Sequence, residues 1–86
     1  RKAAPVLFKA LSLGRQLWQE GEHNADKICG EMTALIQKEP LASIDYISIA
    51  DADTLEELKE IGRQPALVSL AVRIGRTKLI DNITLG

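Results

Sequence analysis

The side chains with the clearest chemical potential are three cations around one glycine. Arg73, Arg76 and Lys78 surround Gly75. Residues 72–82 are typical of a strand, a two-residue turn and a returning strand. In that hairpin Arg73 and Lys78 face each other, and like charges so placed destabilise a sheet. Either an anion or another domain's carboxylates compensate the repulsion, or the charges form a solvated tip that prevents edge aggregation.

The other candidate catalytic or metal-binding groups are single. His23 is the only histidine and Cys29 the only cysteine, so neither has a partner at metal-ligand spacing. We expect His23 to be a solvated loop residue and Cys29 to pack as a small hydrophobic side chain. A lone cysteine forms no internal disulfide, which fits a reducing, cytoplasmic compartment.

Acidic residues cluster after the first predicted strand, at Asp51, Asp53, Glu56, Glu57 and Glu60. They match neither a calcium loop nor a spaced carboxylate pair. We expect them to cap turns and cover a solvated face, with Asp53 or Thr54 starting one short helical turn. The sequence has no phosphate-binding glycine loop, and its net charge of -1 argues against nucleic acid as a partner. No membrane-length apolar run is present.

The elements that must position these groups follow from the apolar pattern. Helical spacing predicts helices at about 4–20 and 25–38, with Phe8 and Trp18 in the first apolar stripe and close packing at Gly14. Two-residue alternation predicts strands at about 43–51, 66–74 and 77–81, the last ended by Asp81 and Asn82. We therefore predict one α+β domain, a two-layer sandwich of two helices on a three-stranded antiparallel sheet.

Several stretches of the sequence match a known family. They are Ile-Asp-Tyr-Ile-Ser-Ile-Ala-Asp at 44–51, Asp-Thr-Leu at 53–55 and Ala-Val-Arg-Ile-Gly-Arg-Thr-Lys-Leu-Ile-Asp-Asn at 71–82. The Leu-Ile-Asp-Asn ending is the most specific. Residues 1–7 also resemble the helix that follows the family's interdomain linker, and the resemblance is strong in the second half and looser in the two helices. Together they resemble the C-terminal domain of the pantothenate synthetase (pantoate–β-alanine ligase) family. The departures are mild, with Ala52 at a frequent proline and Lys78 at a frequent arginine.

The resemblance implies the C-terminal lid domain of an ATP-dependent, AMP-forming ligase. That family condenses pantoate with β-alanine through pantoyl adenylate, using ATP and Mg²⁺, and yields pantothenate, AMP and pyrophosphate on the coenzyme A pathway. It implies an N-terminal Rossmann-like domain as partner and a homodimer formed mainly by that domain. Residues 1–86 are then a fragment, expected to be monomeric.

The same resemblance limits what can be expected of these residues. The family's nucleotide-binding histidine motif and its Ser-Ser-Arg-Asn loop are not in this sequence, so no catalytic residue, metal ligand or bound cofactor is predicted, and the piece alone is expected to be inactive. Arg73, Arg76 and Lys78 become candidate contacts to the ATP phosphates or to the facing domain. The alternative is a free-standing interaction module without catalytic activity.

Overall fold

Two helices precede three strands in the computed structural model, which describes residues 5–86. The elements are α1 (Pro5–Gln19), α2 (Ala25–Gln37), β1 (Ala42–Asp51), β2 (Ala66–Ile74) and β3 (Thr77–Leu85). The strands form one antiparallel sheet in the order β1-β2-β3, and both helices pack against it. The predicted α+β two-layer sandwich is confirmed. The predicted helix start at residue 4 lies outside the described residues.

A short turn folds the two helices into an antiparallel pair. Gly21 takes a φ of +104° after α1, a conformation that suits glycine at a helix C-terminus. The Asn24 side chain then caps α2 by accepting a 3.0 Å hydrogen bond from the Lys27 amide. Gly14 permits the close approach predicted for it, since a Cβ there would lie 2.9 Å from the Met32 Sδ. Neither described helix is long and apolar enough to cross a bilayer.

The core lies between the helix pair and one face of the sheet. Its largest fully buried side chains are Ile28, Met32 and Ile36 of α2, Ile49 of β1, Val68, Leu70 and Val72 of β2, and Leu85 of β3. Burial of such side chains contributes about 1.5–3 kcal/mol each. The placement of Phe8 in the apolar stripe is wrong, because α1 turns Leu7 and Leu11 inward and leaves Phe8 71% exposed.

Strand β3 is longer than the sequence suggested. It continues to Leu85, so Asp81 and Asn82 do not end it as predicted. The reason is that β2 offers nine residues for pairing, and Ile83 and Leu85 return apolar side chains to the core beyond the polar pair. Asp81 and Asn82 remain exposed within the strand.

The connection from β1 to β2 begins with the predicted single helical turn, closed by the Leu55 amide donating to the Asp51 carbonyl at 2.8 Å, and only the predicted capping residue is wrong. Asp51, rather than Asp53 or Thr54, takes the free amides: its Oδ1 accepts from the amides of Asp53 (2.8 Å) and Thr54 (2.9 Å). Leu55 then adopts a φ of +66°. This left-handed residue sends the chain back beside β1, where the Leu58 amide donates to the Ile49 carbonyl at 2.9 Å.

Candidate functional site

The hairpin between β2 and β3 presents the three predicted cations at one end of the sheet. Ile74 pairs with Thr77, so Gly75 and Arg76 form a two-residue turn. Gly75 takes a φ of +62°, as the first residue of a tight β-hairpin turn does. Its amide donates to the Leu41 carbonyl at 3.4 Å, which ties the turn to the residue just before β1.

The predicted cross-strand pair of Arg73 and Lys78 is present, but its compensation comes from the chain itself. The pairing of β1 with β2 shifts between Ile44 and Tyr46, so Asp45 lies at a β-bulge. Such a bulge re-aims a side chain. The Asp45 Oδ2 forms one ion pair with Arg73 Nε and another with Lys78 Nζ, each with an N···O distance of 3.4 Å.

Asp45, Arg73 and Lys78 form a triad in which the carboxylate offsets the repulsion between the two cations, so no external anion is required for that purpose. The sequence did not indicate this role of Asp45, because a bulge leaves no clear trace in the alternation of residues 42–51. Both cations remain about half exposed, so each ion pair contributes only about 0.2–1 kcal/mol. Two cations on one carboxylate leave the triad with a charge of +1.

Arg76 adds a third positive charge at the tip of the turn. The residue is exposed, and among residues 5–86 it has no acidic side chain within ion-pair distance. With the triad it gives this end of the sheet a net charge of +2. The sequence-predicted residues are therefore brought together, and their arrangement can bind an anionic group by charge.

The single histidine and cysteine take the structural roles expected of them. His23 is exposed in the turn between the helices, where its carbonyl accepts from the Ile61 amide at 2.8 Å. Cys29 is half-buried against the core. Burial, with smaller contributions from Glu57 and Asp26, raises the pKa of the Cys29 thiol, which is the opposite of activation for nucleophilic attack.

The acidic residues serve the turns that follow β1. Hydrogen bonds from the Thr54 and Asp53 amides lower the pKa of the Asp51 carboxyl. Glu57 accepts a 2.9 Å hydrogen bond from the Ser48 hydroxyl, which joins the connection to β1. Within residues 5–86 no group of three or more His, Cys, Asp or Glu side chains could hold a metal ion. The described carboxylates therefore do not fit a Mg²⁺ site.

A second surface feature escaped the sequence analysis. A groove of about 180 Å³ runs between α1 and β3. Its lining residues are Phe8, Leu11, Ser12, Arg15, Gln16, Gln19, Asp81 and Ile83. At this groove the Arg15 guanidinium donates a 3.3 Å hydrogen bond to the Thr84 carbonyl. No pattern in the sequence indicated it, because Phe8 was predicted to lie in the buried stripe of α1.

Comparison with known proteins identifies relatives over almost the whole chain. The family model described as pantoate-beta-alanine ligase matches residues 1–84. The pantothenate synthetase of Herpetosiphon aurantiacus is 48% identical over 85 residues, which cover 99% of this chain and 31% of the relative. That of Roseiflexus castenholzii is 52% identical over 85 residues, covering 99% and 30%.

A solved structure agrees with these sequence relatives. The crystal structure of pantothenate synthetase from Thermus thermophilus has a TM-score of 0.85 and 30% identity, and the match covers 96% of this chain and 29% of that one. The chain thus spans about three-tenths of the length of the relatives it matches.

Proposed function

The chain belongs to the pantoate–beta-alanine ligase family, and we propose that it is the C-terminal lid domain of a longer, pantothenate-forming enzyme. The observation that carries this proposal is the match over nearly all of this chain to less than a third of each relative. The longer enzyme condenses pantoate with β-alanine in two steps. The pantoate carboxylate first reacts with ATP to give pantoyl adenylate and pyrophosphate. The β-alanine amine then displaces AMP to give pantothenate.

In the proposed enzyme an N-terminal Rossmann-like domain supplies the nucleotide-binding and catalytic residues. The C-terminal domain described here covers the active-site cleft of that domain. A cover excludes water from a reactive acyl adenylate, which would otherwise hydrolyse, and it gates substrate entry and product release. The Mg²⁺ that accompanies ATP would be held outside residues 5–86, whose described side chains offer no metal-binding cluster.

The cationic hairpin is the part of this domain best suited to touch an anion. Arg73 and Lys78 are held side by side by Asp45, and Arg76 lies beside them at the tip. We propose that they contact the ATP phosphates or acidic groups of the facing domain. Charge-assisted hydrogen bonds of this kind contribute about 1.5–3 kcal/mol each when desolvated, and less at an exposed surface.

Kinetics of the longer enzyme test this assignment. Alanine at Arg73, Arg76 and Lys78 together should raise the ATP KM or lower kcat by about tenfold, which corresponds to about 1.4 kcal/mol. Arg63→Ala is the matched control, since Arg63 is an exposed cation in the loop before β2, at the far end of the sheet. Unchanged kinetics in the triple variant would refute the contact.

A reconstitution assay tests the lid role separately. Pantothenate formation is measured for residues 1–86 alone, for the remainder of the enzyme, for their mixture and for the intact enzyme. We expect activity from the intact enzyme and none from residues 1–86 alone. Turnover by the 86 residues alone would contradict the proposal, because it would require a complete catalytic set within them.

A further inference from the structure

The two faces of the sheet are covered to very different extents. The helices cover the face that carries Val68, Leu70 and Val72. The opposite face, here called the bare face, has no described element packed on it. At its centre Tyr46, Ala71 and Ile80 lie side by side on the three strands. Tyr46 is 45% exposed and Ile80 62% exposed, whereas Ala71 is fully buried between them.

This row has the shape and chemistry of a docking surface. A large side chain on each outer strand and a methyl group on the middle strand form a shallow trough, about 10 Å wide from β1 to β3. Arg73 and Lys78, with Asp45, line the row on the hairpin side. A row of small polar side chains borders it on the other side: Ser48, Ser69 and Asn82. An apolar centre with a polar rim is typical of protein interfaces.

We propose that the bare face docks onto the remainder of the longer enzyme, the part that precedes this domain; the inference rests on the proposed function. The sequence relatives extend for more than twice this chain's length beyond the matched region, so a partner of sufficient size belongs to the same polypeptide. The row of Tyr46, Ala71 and Ile80 is the docking centre, and the cations beside it face acidic groups of the partner.

The topology brings that partner to the correct end of the domain. The turn at residues 38–41 joins the C-terminal end of α2 directly to the start of β1, which pairs with Ile74 next to the hairpin. Because α1 is antiparallel to α2, with Gly14 against Met32, α1 begins at this same end. A polypeptide that enters at Pro5 therefore arrives near the hairpin turn, which lies four residues along the strands from Ala71 and Ile80 of the docking centre.

Photo-crosslinking in the full-length enzyme tests the proposal. The photoreactive residue p-benzoylphenylalanine replaces Ile80 in one variant and Phe8, at the α1–β3 groove, in a matched control. Both native side chains are more than half exposed. From position 80 we expect an intrachain product at monomer mass that joins this residue to a peptide outside residues 1–86, in at least fivefold higher yield than from position 8.

Three other results would overturn the docking assignment. A dimer-sized band from position 80 would mean that a second copy covers the bare face. Products confined to residues 1–86 would mean that nothing docks there. A higher yield from position 8 would move the interface to the α1–β3 groove.

A charge insertion gives a second, functional readout. Ile80→Glu in the full-length enzyme should lower kcat/KM for pantothenate formation by at least tenfold, while Phe8→Glu should stay within twofold of the parent. Since Ile80 is mostly exposed, Ile80→Glu should keep the far-ultraviolet circular dichroism spectrum of the parent, which separates lost docking from misfolding. Equal activities for Ile80→Glu and Phe8→Glu would contradict docking through the bare face.

The docking inference and the proposed function can fail separately. If the parent enzyme forms pantothenate and position 80 gives no external crosslink, only the docking inference is wrong. If the crosslink forms but the parent makes no pantothenate, the interface stands and the assigned reaction is wrong.

Discussion

Leu55 offers a sharp test of the backbone geometry after β1. Its φ of +66° lies in the left-handed region, which costs a residue with a Cβ about 1–2 kcal/mol. Its side chain is 65% exposed, so little packing compensates that cost. We compare Leu55→Gly with Leu55→Ala, because both remove the same side-chain contacts and differ only at Cβ.

The expected difference follows from two opposing effects. Glycine avoids the left-handed penalty of about 1–2 kcal/mol but loses about 0.5–1 kcal/mol more backbone entropy on folding than alanine. Taken at the midpoints of these two ranges, the Leu55→Gly variant should have a free energy of unfolding about 0.75 kcal/mol higher than Leu55→Ala. For a domain of this size, that corresponds to a melting temperature higher by about 3–6 °C.

Urea denaturation followed by far-ultraviolet circular dichroism measures this difference. Leu41 supplies the matched control: it is also 65% exposed but is not among the residues with positive φ, so Leu41→Gly should be less stable than Leu41→Ala. If Leu55→Ala equals or exceeds Leu55→Gly in stability, the left-handed turn is not the conformation in solution.

Three further outcomes follow from named contacts. Asp45→Asn should lower the free energy of unfolding by about 0.5–2 kcal/mol, and by less in 1 M NaCl; a salt-independent loss would contradict the ion pairs. The lowered pKa of Asp51 adds stability that is fully present above the unfolded pKa of about 3.9 and lost as the pH falls through the folded value. Asp51→Ala should therefore be destabilised at neutral pH, with the gap to the parent narrowing in acid; a constant gap would exclude this linkage. Gly14→Val should cost about 1–3 kcal/mol by overpacking Met32, and adding Met32→Ala should make the Gly14→Val step less costly; strict additivity in the urea titrations would contradict the contact.

The sequence predicted the elements where periodicity and packing agree. The two amphipathic helices and the apolar strand 66–74 were readable, because each must bury a continuous stripe. The end of β3 could not be predicted from the sequence, because Asp81 and Asn82 are typical of residues that follow a strand. Only the pairing with the nine residues of β2 shows that β3 continues to Leu85.

The candidate site was predictable in its residues but not in its electrostatics. The cross-strand pairing of Arg73 and Lys78 followed from the two-residue turn at Gly75. The bulge at Asp45 depends on how β1 fits both the core and the hairpin, and a one-residue shift leaves the local pattern almost unchanged. The exposure of Phe8 likewise depends on how α1 packs against α2 and β3.

The contact between α1 and β3 has a consequence for the order of folding. Arg15 and Thr84, whose side chain and carbonyl meet at 3.3 Å, are 69 positions apart, so the first and last elements close the chain into a loop. The entropy cost of that closure grows with loop length, whereas the β2–β3 hairpin and the helix pair form from near neighbours. We therefore expect α1 to pack onto β3 late in folding. A chain cut before Ile83 and Leu85 would lose the apolar surface of β3 that this last step buries.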